Sequence, residues 1–170
     1  MARYEDIGCA KLDIERICRK GCSEAVFGEC KTNEQLVQIY KTFKSKGQNI
    51  LGTRISKEQF KAVKSKLKEV EYNEKARTLT LIQNPINKIG EIAVCTGGTG
   101  DIPVAEEAAV TAEFYGSNVK KYYDVGIAGI HRLLDNIENI KKANVIIAVA
   151  GMEGALGGVI TGLVDIPVIA

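Results

Sequence analysis

The sequence is poor in residues that bind metals. It contains one histidine, His131, and its five cysteines include no C-x-x-C pair. Structural zinc sites need four such ligands at short spacings, so we expect no metal site. Five is an odd number of cysteines, and the opening residues MARYEDIGCAKLD are too polar for a secretory signal. We therefore expect reduced thiols without disulfides.

Long apolar segments are also missing. No run approaches the roughly 20 residues that span a bilayer. We expect a cytoplasmic protein without a membrane partner. The 170 residues, 45% of them hydrophobic, are enough for one domain or two small ones.

Charge and glycine divide the chain into two parts. Residues 1–87 hold 17 Lys and Arg against 11 Asp and Glu, whereas residues 88–170 hold 6 against 10. Five glycines lie in the first part and twelve in the second. A break at QNPINK separates the two, so we predict an N-terminal α/β region over residues 1–86 and a second domain over residues 87–170.

The N-terminal region mixes helices with short strands. TNEQLVQIYKTFKSKG and SKEQFKAVKSKLKEV read as helices, each opened by a capping box, Thr32 with Gln35 and Ser56 with Gln59. The segments NILGTRI and ARTLTLIQ read as strands. Lysines crowd the second helix without aromatic neighbours. We interpret that face as solvated and expect no nucleic-acid partner.

The second region alternates strands and helices. EIAVCT, NVKKYYDVG, NVIIAVAG and IPVIA read as strands, and the helices between them are IPVAEEAAVTAEFYG, GIHRLLDNIENIKKA and ALGGVITGLVD. Apolar strands such as VIIAVA are typical of a sheet covered on both faces. This order predicts an open, doubly wound parallel sheet, in which ligands bind at the carboxyl ends of the strands.

Three glycine-rich loops follow strands of that sheet: TGGTGD, DVGIAGIHR and AGMEGALGG. In the first loop, Asp101 is predicted to cap the next helix and Pro103 to lie in its first turn. Pro103 breaks the dinucleotide fingerprint G-x-G-x-x-G, and no Gly-Lys-Ser/Thr of a P-loop follows. Free amides and the positive helix end still favour an anion site, and a tight packing turn is the alternative. The residues predicted to contact the phosphate or ribose are Thr96, Gly98, Thr99 and Asp101.

The other two loops carry the charged candidates. Asp124 stands where dinucleotide folds bind a ribose hydroxyl, which leaves an NAD-dependent dehydrogenase as an alternative. Arg132 suits a phosphate, and His131 beside it is either structural or catalytic. Glu153 lies in a segment without other charges, as a helix cap, a ligand contact or a proton carrier with a raised pKa. Backbone contacts to the ligand are predicted at Gly126, Gly151, Gly154 and Ala155. Cys95 reads as a small buried residue rather than a reactive thiol.

Several of these segments resemble the PurE-type enzymes of purine synthesis, the N5-carboxyaminoimidazole ribonucleotide mutases. The similar stretches are GTGDIPVAEEAA, GIHR and AGMEGALGGVITGLVDIPVIA. The resemblance implies a flavodoxin-like or Rossmann-like domain, in which His131 and Arg132 match the family's His-Arg pair. A second site histidine is absent after AGMEGA.

A wider resemblance covers nearly all of residues 4–170. YEDIGCAKLD, EAVFGECKT, YDVGIAGIHRLL and VAGMEGALGG are similar to the LarB class, the pyridinium-3,5-biscarboxylic acid mononucleotide synthases of nickel-pincer cofactor synthesis. Members join an N-terminal α/β region to a PurE-like domain. Gly97 and Gly100 depart from the usual loop of the class, which weakens the expected phosphate contact.

The resemblance implies a carboxylase and phosphoanhydride hydrolase. Its substrate would be nicotinic acid adenine dinucleotide, whose pyridinium ring is carboxylated at C5 before AMP is released. The co-substrate would be carbon dioxide or bicarbonate, with no resident cofactor, although magnesium stays open. A thiolate would first add to the ring, and Glu153 would remove the ring proton. The resemblance also implies a homo-oligomer.

The nucleophilic cysteine of the class matches none of the five cysteines here, because it lies downstream of the position that matches Ala170. The last predicted strand also lacks a following ligand loop. We therefore expect an inactive fragment with an incomplete sheet. A purine-pathway carboxylase or mutase and a non-catalytic nucleotide-binding module remain as alternative functions.

Overall fold

The computed structural model describes residues 4–170, which form two compact units. The N-terminal unit ends at Pro85, and the C-terminal unit runs from Ile86 to Ala170. No helix within residues 4–170 is long and apolar enough to cross a membrane.

The N-terminal unit combines three helices with six short strands. A hairpin of two strands precedes a four-stranded sheet of order β3-β4-β6-β5, in which β3 and β4 are parallel and the other pairs antiparallel. The elements are β1 (Glu5–Asp6), β2 (Lys11–Leu12), α1 (Arg16–Lys20), β3 (Ala25–Phe27), α2 (Asn33–Ser45), β4 (Ile50–Thr53), α3 (Lys57–Lys66), β5 (Glu71–Asn73) and β6 (Thr78–Leu81).

Helices α2 and α3 begin where their capping boxes predict. In each, the cap hydroxyl accepts from the backbone N–H of the glutamine three residues later, and the side-chain oxygen of that glutamine accepts from the backbone N–H of the cap residue. Both predictions are therefore confirmed. The apolar stripe of α2 is fully buried in the core of this unit, at Leu36, Ile39, Tyr40 and Phe43.

The C-terminal unit alternates strands and helices. Its elements are β7 (Ile89–Thr96), α4 (Ile102–Phe114), β8 (Ser117–Tyr122), α5 (Ile130–Leu134), α6 (Ile137–Ile140), β9 (Val145–Val149), α7 (Ala155–Thr161) and β10 (Val168–Ile169). Short 3-10 turns at Thr99–Asp101 and Ile127–Gly129 lead into α4 and α5.

The four strands of this unit form one parallel sheet of order β8-β7-β9-β10. Helix α4 packs on one face near Val94, whereas α5, α6 and α7 pack on the other face near Cys95. Neighbouring residues of β7 thus point to opposite faces, as strand geometry requires. The predicted doubly wound parallel sheet is confirmed. From β7 the chain adds β8 on one side of the sheet and then β9 and β10 on the other, so the strand order switches between β7 and β9. Such folds bind ligands at this switch point.

Two helices end earlier than the sequence suggested. The helix predicted over GIHRLLDNIENIKKA is split into α5 and α6. The reason is that the Asn136 side chain donates to the Arg132 carbonyl, while the Asn136 backbone N–H donates to the Leu133 carbonyl. Asparagine commonly competes with the helical hydrogen bonds in this way. Helix α7 ends at Thr161 rather than Asp165, after two internal glycines that weaken a helix.

Candidate functional site

The loops that follow β7, β8 and β9 converge at the carboxyl edge of the sheet and line a partly open cavity of ≈ 160 Å³. Each of the three loops contributes to the walls. The lining residues are Gly97, Gly98 and Asp101 from the first loop, Gly126, Ile127, Ala128 and Arg132 from the second, and Ala150, Gly151, Met152, Glu153 and Leu156 from the third.

The first two loops are packed tightly against each other. The Thr96 hydroxyl, fully buried, accepts from the Asp124 N–H at 2.9 Å, and the Thr96 carbonyl accepts from the Val125 N–H at 2.9 Å. A Cβ at Gly126 would collide with the Gly97 carbonyl oxygen. Only glycine therefore fits at position 126, and Thr96 positions the second loop instead of facing the cavity.

Asp101 joins the first loop to the third. Its carboxylate accepts from the Gly98 N–H and from the Gly151 N–H, both at 2.9 Å. Asp101 occupies the cap position of α4 and Pro103 lies in its first turn, as predicted, but the Asp101 side chain makes no capping bond there. The correction has a physical reason: Asp101 already has helical backbone angles, so its carboxylate turns back toward Gly98 and across to Gly151.

This arrangement changes the expected anion site. The N–H groups of Gly98 and Gly151 are held by Asp101, and the Gly97 N–H donates to the Val149 carbonyl at 2.9 Å. These three amides are therefore not free for a phosphate, contrary to what the glycine spacing suggested. A carboxylate of the chain itself stands where the phosphate was expected.

Arg132 supplies the positive charge of the cavity. Its Nη1 lies 2.7 Å from Oδ2 of Asp124, and its Nε donates to the Gly129 carbonyl at 3.4 Å. Asp124 adopts a left-handed backbone with φ of 58°, which is uncommon outside glycine. Asp124 does not line the cavity, so its part in the geometry is to orient the guanidinium.

A buried polar cluster lies beside this corner of the site. Glu106 on α4 is 8% exposed and accepts from Lys121 at 2.7 Å and from the Tyr123 hydroxyl at 3.0 Å. Burial, followed by the bond to Glu106, raises the pKa of Tyr123. Because Tyr123 directly precedes Asp124, the cluster anchors the start of the second loop.

Glu153 lies exposed at the cavity rim and does not cap α7. That helix has Gly154 at its cap position, with a left-handed φ of 70° and no side-chain capping bond. Gly154 and Ala155 stand at the helix start, outside the cavity lining. Of the three roles considered for Glu153, capping is thus excluded.

Besides Thr96, Asp124, Gly154 and Ala155, two further predicted site residues lie outside the cavity lining. His131 and Thr99 are exposed and absent from its lining. The structure thus separates the His131–Arg132 pair, because adjacent residues of α5 point in different directions. A catalytic role for His131 stays a prediction.

Cys95 lies below the site, at the end of β7. It is fully buried, and burial raises its pKa to about 12. At neutral pH the thiol is therefore protonated, and thiols are poor nucleophiles in that form. Within residues 4–170, no three His, Cys, Asp or Glu side chains are grouped as metal ligands.

The sequence did not single out the apolar walls of the cavity. Ile127, Ala128, Ala150, Met152 and Leu156 provide them. Only Met152 gave a signal, because it lies in the segment bounded by Gly151 and Gly154, whereas the others resemble ordinary core residues. In volume alone, the cavity compares with a closed apolar cavity of about 150 Å³, which accommodates benzene. The volume therefore suits one six-membered ring, with Arg132 and Glu153 as charged groups around it.

Known proteins are similar to both units. A family model described as LarB/PurE-like N-terminal domain matches residues 4–84, and one described as AIR carboxylase matches residues 91–170. An uncharacterized protein of Methanocaldococcus jannaschii is 41% identical over 177 positions, covering 98% of this chain and 69% of that protein. The N5-carboxyaminoimidazole ribonucleotide mutase of the same organism is 34% identical over 82 positions, covering 46% of this chain and 50% of that enzyme.

Proposed function

The chain belongs to the LarB-type, PurE-related family of carboxylase-like proteins, and from this premise we propose that its C-terminal unit binds nicotinic acid adenine dinucleotide for carboxylation of the pyridinium ring. Hydrolysis of the phosphoanhydride with release of AMP would complete the reaction. The observation that carries the proposal is a ring-sized cavity whose lining includes both Arg132 and Glu153.

The charges at the cavity suit a pyridinium ring. The ring is cationic, and the carboxylates of Asp101 and Glu153 both line the cavity. Arg132 complements the negative groups of the same ligand, namely the ring carboxylate and the phosphates. An aminoimidazole ring carries no such positive charge, so paired carboxylates favour it less.

Glu153 is the residue we assign to proton removal. When the ring carbon has bonded to carbon dioxide, its hydrogen must leave as a proton and the added nucleophile must then be expelled, with the electrons of its bond, for the ring to regain aromaticity. A carboxylate at the rim is free to accept that proton, since Glu153 is not used as a cap. The nucleophile that activates the ring is not assigned to any residue here, because no cysteine lines the cavity in the described part of the chain.

The first experiment is a binding comparison by isothermal titration calorimetry. We expect the 170-residue chain to bind nicotinic acid adenine dinucleotide and nicotinic acid mononucleotide, with Arg132→Ala weakening both by tenfold or more, that is, by about 1.4 kcal/mol or more. Ile89→Ala is the control, because Ile89 is exposed at the opposite end of β7. Tighter binding of 5-aminoimidazole ribonucleotide would overturn the proposal.

That outcome would support a purine-pathway carboxylase or mutase, which the similarity to the M. jannaschii mutase keeps as the second candidate. Turnover is measured separately, as AMP release from the dinucleotide and bicarbonate, with and without an added small thiol. Binding without AMP under either condition would favour a nucleotide-binding module over an enzyme.

A further inference from the structure

Met152 is the most exposed large hydrophobic side chain among residues 4–170. It is 97% exposed, compared with 79% for Ile89 and 59% for Ile169. Unlike those two, Met152 lines the cavity. A large apolar side chain is thus held in solvent at the mouth of a ring-sized space.

The loop that carries Met152 is tied by a hydrogen bond on one side and leads into a helix on the other. On one side, the Gly151 N–H is bonded to Asp101 at 2.9 Å. On the other, Gly154 takes the left-handed conformation that starts α7. Because the backbone is held at Gly151, directly before Met152, the flexible thioether side chain can adjust to a ligand while the start of the loop stays in place.

We propose that Met152 is a specificity-determining residue that packs its thioether against the aromatic ring of the bound nucleotide. That this ring is a pyridine rests on the proposed function. Sulfur–aromatic contact is favourable, and the ring would cover apolar surface that is otherwise exposed to water. Ala150 and Leu156 add apolar surface to the lining of the same cavity.

The test separates the ring from the rest of the ligand. Nicotinic acid mononucleotide and ribose 5-phosphate share the sugar and the phosphate, and only the first has a ring. We expect Met152→Ala to weaken binding of the mononucleotide about tenfold and to leave the affinity for ribose 5-phosphate unchanged. Met152→Leu should retain most of the ring affinity, because it restores the apolar volume.

Ile89→Ala is the matched control, since it also shortens an exposed apolar side chain of this unit but lies away from the cavity. The inference would be overturned if Met152→Ala lost affinity for nicotinic acid mononucleotide and ribose 5-phosphate equally, or for neither of them. A change in sedimentation with unchanged ring affinity would also overturn it, because Met152 would then be covered by a second copy of the chain.

Failure of the proposed function would look different. If wild type binds 5-aminoimidazole ribonucleotide but no pyridine nucleotide, and Met152→Ala weakens that binding, then the proposed function is wrong and the ring contact stands. If wild type binds ribose 5-phosphate as tightly as both ring-bearing ligands, or binds none of the three, the ring contact is wrong as well.

Discussion

At the scale of single residues, the site is built by glycines that let loops approach and by one carboxylate that ties them. Gly126 lies against the Gly97 carbonyl with no room for a side chain, while Asp101 bonds to amides of the first and third loops. These contacts hold together the three loops whose residues, Arg132 and Glu153 among them, line a cavity with the volume of one ring.

Gly126→Ala is expected to separate the first two loops. Its new methyl group would collide with backbone, which cannot rotate away as a side chain can, so we expect a loss of about 1–3 kcal/mol in the free energy of unfolding. Nucleotide binding should be lost as well. Urea denaturation and calorimetry measure the two effects.

Gly100→Ala is the control for that variant. A Cβ at Gly100 meets nothing within 4 Å, and the residue does not have a positive φ. Its stability should stay within about 0.5 kcal/mol of wild type, the usual range for exposed positions. If Gly126→Ala were as stable as Gly100→Ala, the close contact between the first two loops would not be needed for the stability of the unit.

At this scale, contacts between residues close in the chain can be predicted from the sequence, whereas contacts between distant residues cannot. Glycine spacing and strand order placed the three loops at one edge, because those signals are local. The role of Asp101 could not be predicted, since its second partner, Gly151, is fifty residues away. For the same reason the sequence suggested free amides where the fold places a carboxylate.

At the scale of elements, the N-terminal caps are the best-predicted features. A capping box needs only residues three positions apart, and both boxes form as the spacing indicated. The interrupted helix at α5 and α6 is the counterexample. Its apolar periodicity runs through Asn136, and the break depends on where that side chain donates its hydrogen bond.

Thr32→Ala should destabilise the N-terminal unit. The hydroxyl accepts from the Gln35 N–H at 3.2 Å, and alanine would leave that helix-end donor without its side-chain partner. We expect a loss of about 1 kcal/mol in the free energy of unfolding, measured with urea. Thr32→Ser keeps the hydroxyl and should cost only a few tenths of that amount. Equal losses in both variants would point to the threonine methyl group instead of the cap.

At the scale of the whole molecule, the chain forms two compact units, and a loop follows β6 before β7 begins. The first residues of that loop are tied to the N-terminal unit by Asn49. Its side-chain oxygen accepts from Gln83 N–H and Asn84 N–H at 2.7 and 2.8 Å, and its amide donates to the Asn84 carbonyl at 2.9 Å.

Asn49→Ala should therefore expose this loop to proteases. We expect subtilisin to cleave within residues 82–88 several-fold faster than in wild type, because cleavage follows local opening of the backbone. Asn49→Asp keeps the accepting oxygen and should be intermediate. Mass spectrometry of the early fragments locates the cut. Unchanged rates, or first cuts inside α3, would contradict this account.

The two hydrogen bonds that the Asp101 carboxylate accepts have a consequence for the thermodynamics of ligand recognition. Two loops that are already tied together lose their conformational entropy when the chain folds, not when a nucleotide arrives. Association should then carry a small entropic penalty and a small change in heat capacity from protein ordering, so that affinity differences among ligands report contacts with the ligand itself. A chain that lacked the carboxylate would have to order its loops anew for every molecule it bound.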